Sequence, residues 1–184
     1  MEMDQPQLAV MNSRLRRWFQ EHYEFKVLAK QLKKSARDLR GKVVLDAGCG
    51  AGYSCELILR TYAPAALYGI DLLPAEVAVA QKRGLPAQIS VGDITATEFP
   101  SSMFDAVFAF GLFHHVPQPA LALQEVHRLL KPGGILVGGE IGRERASGFT
   151  WAQFARDLEK AGFAVLESQK IYFGYFYSFV CVRR

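Results

Sequence analysis

The chain has 184 residues, half of them hydrophobic and 22% charged, the size and make-up of one globular domain with a sizeable core. No apolar run approaches the roughly 20 residues that cross a bilayer, and the opening MEMDQPQLAV lacks the basic-then-apolar order of a secretory leader. Three scattered cysteines (Cys49, Cys55, Cys181) exclude a disulfide framework, so a cytoplasmic protein with no membrane partner is expected.

The net charge of +4 is mild but unevenly placed. Between Arg14 and Lys42 stand Arg14, Arg16, Arg17, Lys26, Lys30, Lys33, Lys34, Arg37, Arg40 and Lys42, against Glu21, Glu24 and Asp38. Such a stretch can attract anions, nucleic acid among them, and it equally suits the solvated face of a helix. In favour of the helix, Leu8, Met11, Leu15, Trp18, His22, Phe25, Leu28 and Leu32 recur three or four apart and share one side. Residues 1–40 thus read as an amphipathic lead-in whose stripe must be buried on the body of the domain or on a second subunit, which leaves monomer and homodimer open.

After Gly41 the period changes. Residues 43–47 form a short apolar run that stops at glycines and predict a buried parallel strand. A helix is expected over 53–62, a strand over 67–71, and a helix from Pro74 to Arg83 that Gly84 closes. Strands follow at 87–93 and 104–111. Pro117 opens a helix through Leu130, which Lys131-Pro132-Gly133-Gly134 stops before a strand at 135–140. The next helix runs from Trp151 to Ala161, with Thr150 and Gln153 as a capping box. The runs 163–171 and 175–182 suit an antiparallel hairpin. Five strand–helix alternations call for an α/β domain: a parallel sheet, right-handed crossovers and helices on both faces, all within 1–184.

The stretch Asp46-Ala47-Gly48-Cys49-Gly50-Ala51-Gly52 joins a strand to a helix through three glycines, which let the backbone turn tightly and approach a ligand closely. Tight turns also need glycine for structural reasons alone, so the acids decide the reading. Asp71 ends the second strand, where a carboxylate accepts hydrogen bonds from ribose hydroxyls in this architecture, and Asp93 ends the third. A lone Asp after a strand is usually a cap; three at consecutive strand ends beside a glycine turn point to a ligand.

LDAGCGAG, YGID, GDI, FDAVFAFGLFHHV and LLKPGGIL, in this order, resemble the motif series of class I S-adenosylmethionine-dependent methyltransferases over residues 42 to 140. The Gly-Gly turn after LLKP is typical of that family's small-molecule branch. The resemblance implies a Rossmann-like, seven-stranded, mostly parallel sheet in the order 3-2-1-4-5-7-6, with strand seven antiparallel. It implies that Gly48, Gly50 and Gly52 pass beneath the amino-acid part of S-adenosyl-L-methionine and that Asp46 holds its ammonium, directly or through water. Asp71 would bind the ribose and Leu72 the adenine face. Asp93 would accept from the adenine amino group beside Ile94, and Phe110 and Gly111 would line the methionine portion. S-adenosyl-L-homocysteine would be the product.

A nicotinamide dinucleotide enzyme shares the fold, but its fingerprint is G-x-G-x-x-G around a pyrophosphate. Here the glycines are one residue closer, and Asp46 would repel a pyrophosphate while suiting an ammonium and a sulfonium. Methyl transfer from a sulfonium needs alignment above all, and a general base adds to it where the acceptor carries a proton. His114 and His115 follow the fourth strand. Adjacent side chains diverge, and His115 is the candidate base; capping the next helix is the structural alternative. No third ligand at suitable spacing makes a metal site of the pair.

Substrate contacts are expected from the N-terminal helix, residues 112–117 and 141–150, and the hairpin. Tyr172, Phe173, Tyr175, Phe176 and Tyr177 would either wall an apolar pocket or pack at the sheet edge, and Arg143 and Arg145 would meet an anion or solvent. The Asn-Pro-Pro-Tyr-like tetrapeptide of DNA and glutamine amino-group methylases is absent at residues 110–113. A small-molecule acceptor is therefore favoured. An RNA or protein methyltransferase using the basic helix, and a binding protein that keeps the cofactor without turnover, are the alternatives.

Overall fold

The structure is a computed structural model that describes residues 14–142, 150–172 and 175–184. Helix α1 (Arg14–Phe19) runs through a π-helical segment (Gln20–Glu24) into α2 (Phe25–Lys34). Then come β1 (Val43–Ala47), α3 (Tyr53–Tyr62), β2 (Ala66–Asp71), α4 (Pro74–Gln81), β3 (Gln88–Val91) and β4 (Phe104–Phe110). A 3₁₀ turn (Phe113–His115) leads to α5 (Pro119–Leu129), β5 (Leu130–Ile141), α6 (Trp151–Lys160), β6 (Phe163–Ile171) and β7 (Phe176–Arg183). The seven strands form one sheet ordered β3-β2-β1-β4-β5-β7-β6, with β7 antiparallel to both neighbours, as the family resemblance implied.

Both faces of the sheet are covered, which is why its central strands read as continuous apolar runs. Leu45 and Ala47 of β1 and Val107 and Ala109 of β4 pack under α5 and α6, where Leu123, Val126, Phe154 and Leu158 are buried. Val44, Ala106, Phe108 and Val137 face α2 and α3 through Phe25, Leu28, Leu32 and Ile58. Gly138 lets β4 and β5 approach: a Cβ there would overlap the Ala109 carbonyl oxygen.

Three expectations need correction. The N-terminal stripe holds only in its C-terminal half. Phe25, Leu28 and Leu32 are buried, but Trp18 is 53% exposed, stacked on exposed His22 at 4.9 Å between ring centroids. The π segment explains this, because its wider turn adds a residue and rotates everything upstream by about a third of a turn. Gln20 and Glu24 take the inward positions instead. Leu8 and Met11 lie outside the described residues, as does the side chain of Leu15, so upstream of the π segment only Trp18 tests the stripe. The helix expected from Pro117 starts at Pro119, after the 3₁₀ turn. The capping box is half formed: Gln153 N donates to Thr150 Oγ1 at 3.2 Å, while the Gln153 amide reaches Asp157 rather than back to Thr150.

Candidate functional site

A cavity of about 490 Å³ opens beyond the C-terminal ends of the neighbouring strands β1 and β4, the topological switch point of the sheet. Its floor is the β1–α3 turn. Gly48, Gly50 and Gly52 have φ of +70°, +50° and +79°, a region that side chains strongly disfavour, so this turn requires glycine. Two backbone bonds from Gly48 N and Cys49 N to Ile70 O, at 2.8 and 2.9 Å, tie the turn to the end of β2.

Of the residues singled out in the sequence, Gly48, Gly50, Asp71, Leu72, Asp93, Ile94, Phe110, Gly111 and His115 line this one cavity. The Asp71 carboxylate is oriented by its own chain: Oδ2 accepts Gly50 N–H at 2.8 Å and Oδ1 accepts Leu73 N–H at 2.9 Å. Each oxygen keeps lone pairs for ligand hydroxyls. Leu72 is 64% exposed at the cavity, an apolar surface of the kind a flat aromatic base would cover. Asp93 Oδ1 accepts both the N–H and the hydroxyl of Thr95 at 2.8 Å, which holds the carboxylate steady. Phe110 is stacked on Phe25 at 5.1 Å, so the N-terminal helix braces the tip of β4.

Gly52 and Asp46 lie off the wall. Gly52 serves the packing of α4, since a Cβ there would come within 2.9 Å of Ala80 Cβ. Asp46 sits beneath the turn, 1% exposed, with Oδ2 accepting from Ser54 Oγ and, at 3.2 Å, from Cys55 Sγ. Its Oδ1 has no hydrogen-bond partner. Burial raises the Asp46 carboxyl to about 7. An orphaned, buried carboxylate oxygen beneath the turn is the observation that best fits a bound ammonium group.

The two histidines do not diverge as expected: their rings pack together, 3.9 Å apart between centroids, yet only one of them lines the cavity. His115 is on the cavity wall. His114 turns inward, where its Nδ1 donates to Glu140 Oε2 at 2.9 Å. Glu140 is wholly buried on β5 and also accepts Phe113 N–H at 2.8 Å and Ile141 N–H at 3.3 Å. One carboxylate thus fixes the turn that carries His115. Nothing in the sequence marked Glu140, because it stands alone in an apolar strand and its partners come from another strand's loop.

Arg17 and Gln20 also line the cavity and were legible only as members of a basic helix. The Arg17 guanidinium lies 5.5 Å from the Tyr53 ring, and Tyr53 in turn donates to Glu21 at 2.6 Å. Of the aromatic group, Tyr172 packs on Phe19, Tyr23 and Phe176, Tyr177 stacks on Trp151, and Tyr175 is 75% exposed; none of them lines this cavity, though Tyr172 and Phe176 line a smaller one with Phe19 and Glu24. Phe173, Arg143 and Arg145 lie outside the described residues.

A glycine turn, two strand-end carboxylates and a histidine around one cavity, with a third carboxylate beneath the turn, are the arrangement of a nucleoside-binding α/β domain. The family model described as "Methyltransferase domain" matches residues 45–138, half of the chain, and the protein belongs to the class I S-adenosylmethionine-dependent methyltransferase family. The chain is 35% identical over 143 residues to a ubiquinone biosynthesis O-methyltransferase of Pseudomonas paraeruginosa, covering 72% of this chain and 61% of that one. It is also 35% identical over 153 residues to the enzyme of the same name from Pseudomonas syringae pv. tomato, covering 77% and 65%. The chain therefore spans just under two thirds of the length of these curated relatives. A crystal structure of an S-adenosylmethionine-dependent methyltransferase from Aquifex aeolicus superposes with a TM-score of 0.80 at 21% identity, over all of both chains. No described helix is long and apolar enough to cross a membrane.

Proposed function

We propose that the whole chain acts as one methyltransferase domain that moves the methyl group of S-adenosyl-L-methionine to a hydroxyl of a small-molecule acceptor. The observation that carries this reading is the convergence of the glycine turn, Asp71 and Asp93 on one cavity, with the Asp46 carboxylate oxygen left unpartnered below it. The relatives' name supports oxygen as the methylated atom and a small molecule as the acceptor. The strand-end geometry supports the cofactor.

In this reading Asp71 holds the ribose, Leu72 and Ile94 enclose the adenine, and Asp93 accepts from its amino group. Asp46, beneath the turn, would offset the ammonium, and Arg17, on the cavity wall, would be available to the carboxylate. When bound, the sulfonium donor supplies an already activated methyl group. The chain's own contribution is to align the acceptor, for which up to ~7–11 kcal/mol is available from positioning alone, and to take up the hydroxyl proton at His115. Glu140 acts through His114 and the Phe113 backbone to hold that histidine in place.

Calorimetry with S-adenosylmethionine and S-adenosylhomocysteine tests the assignment. Micromolar-range binding is expected, weakened by ~1–3 kcal/mol in Asp71→Ala, the scale of a lost charged hydrogen bond. Equal affinity in the two proteins would sink it. A panel of hydroxyl-bearing metabolites then identifies the acceptor. Retention of single-stranded RNA that collapses as salt rises would move the reading to a nucleic-acid substrate.

A further inference from the structure

We propose that Cys49 and Cys55 form an oxidisable pair under the glycine turn, closed to a disulfide by a hydroperoxide that enters the cavity, and that closure weakens cofactor binding. Cys49 stands in the turn itself and lines the cavity, 4% exposed; Cys55, in the first turn of α3, is fully buried behind it. Gly69 of β2 makes room for both. A Cβ there would lie 3.1 Å from Cys55 Sγ and 3.2 Å from Cys49 Sγ, so the two sulfurs converge on the space that the missing side chain leaves. Cys55 donates to Asp46 Oδ2 at 3.2 Å, and the Cys49 thiol is held by a long contact to the Gly50 carbonyl oxygen at 3.8 Å. The pair therefore combines adjacent sulfurs, a path for a small oxidant and a carboxylate to accept a proton.

The roles of the two sulfurs differ. Cys49 lines the cavity and Cys55 is fully buried behind it, so attack on the oxidant falls to Cys49. The Cys49 sulfur gives two electrons to the hydroperoxide: an S–O bond forms, the O–O bond breaks, and an alcohol or water leaves. Cys55 then attacks that sulfur. The S–S bond forms, the S–O bond breaks, and the departing hydroxide takes the Cys55 proton by way of Asp46, giving water. Closure draws Cys49 towards α3. The backbone bonds of Cys49 to Ile70 O and from Gly52 N would carry that displacement to Gly48 and Gly50. It also removes the thiol that steadies Asp46.

The cofactor half of this inference rests on the proposed function; the oxidation itself does not. The purified 184-residue chain is treated with hydrogen peroxide, alkylated and peptide-mapped, and its affinity for S-adenosylhomocysteine is measured reduced, oxidised and re-reduced with dithiothreitol. The expected map shows a Cys49–Cys55 cross-link, with Cys181, buried alone in β7, still a thiol. Affinity should fall by about tenfold, the scale of one lost charged hydrogen bond, and recover on reduction. Saturating S-adenosylhomocysteine should slow the cross-linking. Cys49→Ser, compared with its own untreated baseline, should lose nothing on peroxide treatment. The inference is overturned if Cys49 is oxidised further while Cys55 stays a thiol, if the cross-link leaves affinity unchanged, or if Cys49→Ser loses as much as the parent. A reduced protein that does not bind S-adenosylhomocysteine would instead overturn the proposed function, and the peptide map would still decide the pair.

Discussion

Asp46 carries a charge where burial makes charge expensive, and this gives it a pH signature. Its carboxyl is raised from 3.8 to about 7, first by burial, against the lowering effect of Ser54 and Cys55. The folded protein therefore binds this proton more tightly than the unfolded chain does. The associated stability is fully present below about pH 4 and is lost as pH rises to about 7. A ligand ammonium favours the ionised form, so affinity moves in the opposite direction. S-adenosylhomocysteine should bind up to about tenfold more tightly at pH 8 than at pH 6, with a proton released. Asp46→Asn should flatten that profile and weaken binding without lowering the melting temperature of the ligand-free protein at pH 8; an unchanged profile would remove Asp46 from the site. Glu140 is the contrasting case, a buried carboxylate whose oxygens are well partnered. Glu140→Ala would strand two backbone N–H groups and His114, at a cost of about 2–4 kcal/mol in urea unfolding. A loss under about 1 kcal/mol would mean that water replaces it without difficulty.

Among the elements, the N-terminal helix decides the shape of the cavity, because it brings Arg17 and Gln20 to the wall and Phe25 to Phe110. Its π segment is a less favourable helical geometry and is held by contacts at both ends. Glu21 accepts from Tyr53 and pairs with Arg60, and Tyr172 donates to Glu24 at 3.0 Å. Tyr53→Phe removes one of these bonds and should cost about 1 kcal/mol. The change should appear as faster amide exchange in residues 17–24 while β1, β4 and β5 keep their protection; uniform acceleration would show that the helix does not open separately. In the sheet centre, Gly138→Ala forces a methyl onto the Ala109 carbonyl. A loss of about 1–3 kcal/mol is expected, and wild-type stability would mean that β4 and β5 can part locally.

For the whole molecule, a ligand that binds only the folded state raises its stability by mass action. At one hundred times its dissociation constant, S-adenosylhomocysteine should add about 2.7 kcal/mol, or about 5–10 °C in melting temperature for a chain of this size. NAD at the same multiple of a typical micromolar constant should add nothing, and a shift with NAD instead would return the dinucleotide reading. The basic stretch is partly committed within the fold. Lys34 pairs with Glu167 at 2.9 Å, and Arg37 donates to the Gly133 carbonyl at 3.1 Å. These contacts support the small-molecule reading over one that needs the whole stretch for phosphates.

Most element positions and the cavity-facing acids could be read from the chain because each follows from local chemistry, whereas the strand order was legible only through the family resemblance. Alternation of β-branched runs with helical periods sets the architecture, and a glycine turn needs positive φ whatever surrounds it. Asp71 and Asp93 were legible because strand ends on one edge of a parallel sheet must open together. The tertiary structure alone decided the rest. It put Glu140 against His114 and the Phe113 backbone, brought the Cys49 and Cys55 sulfurs together against Gly69 of another strand, and turned Trp18 outward through the π segment. These outcomes depend on which side chains meet across strands or helices far apart in sequence, and on one added residue in a helical turn, neither of which leaves a periodic trace in the order of amino acids.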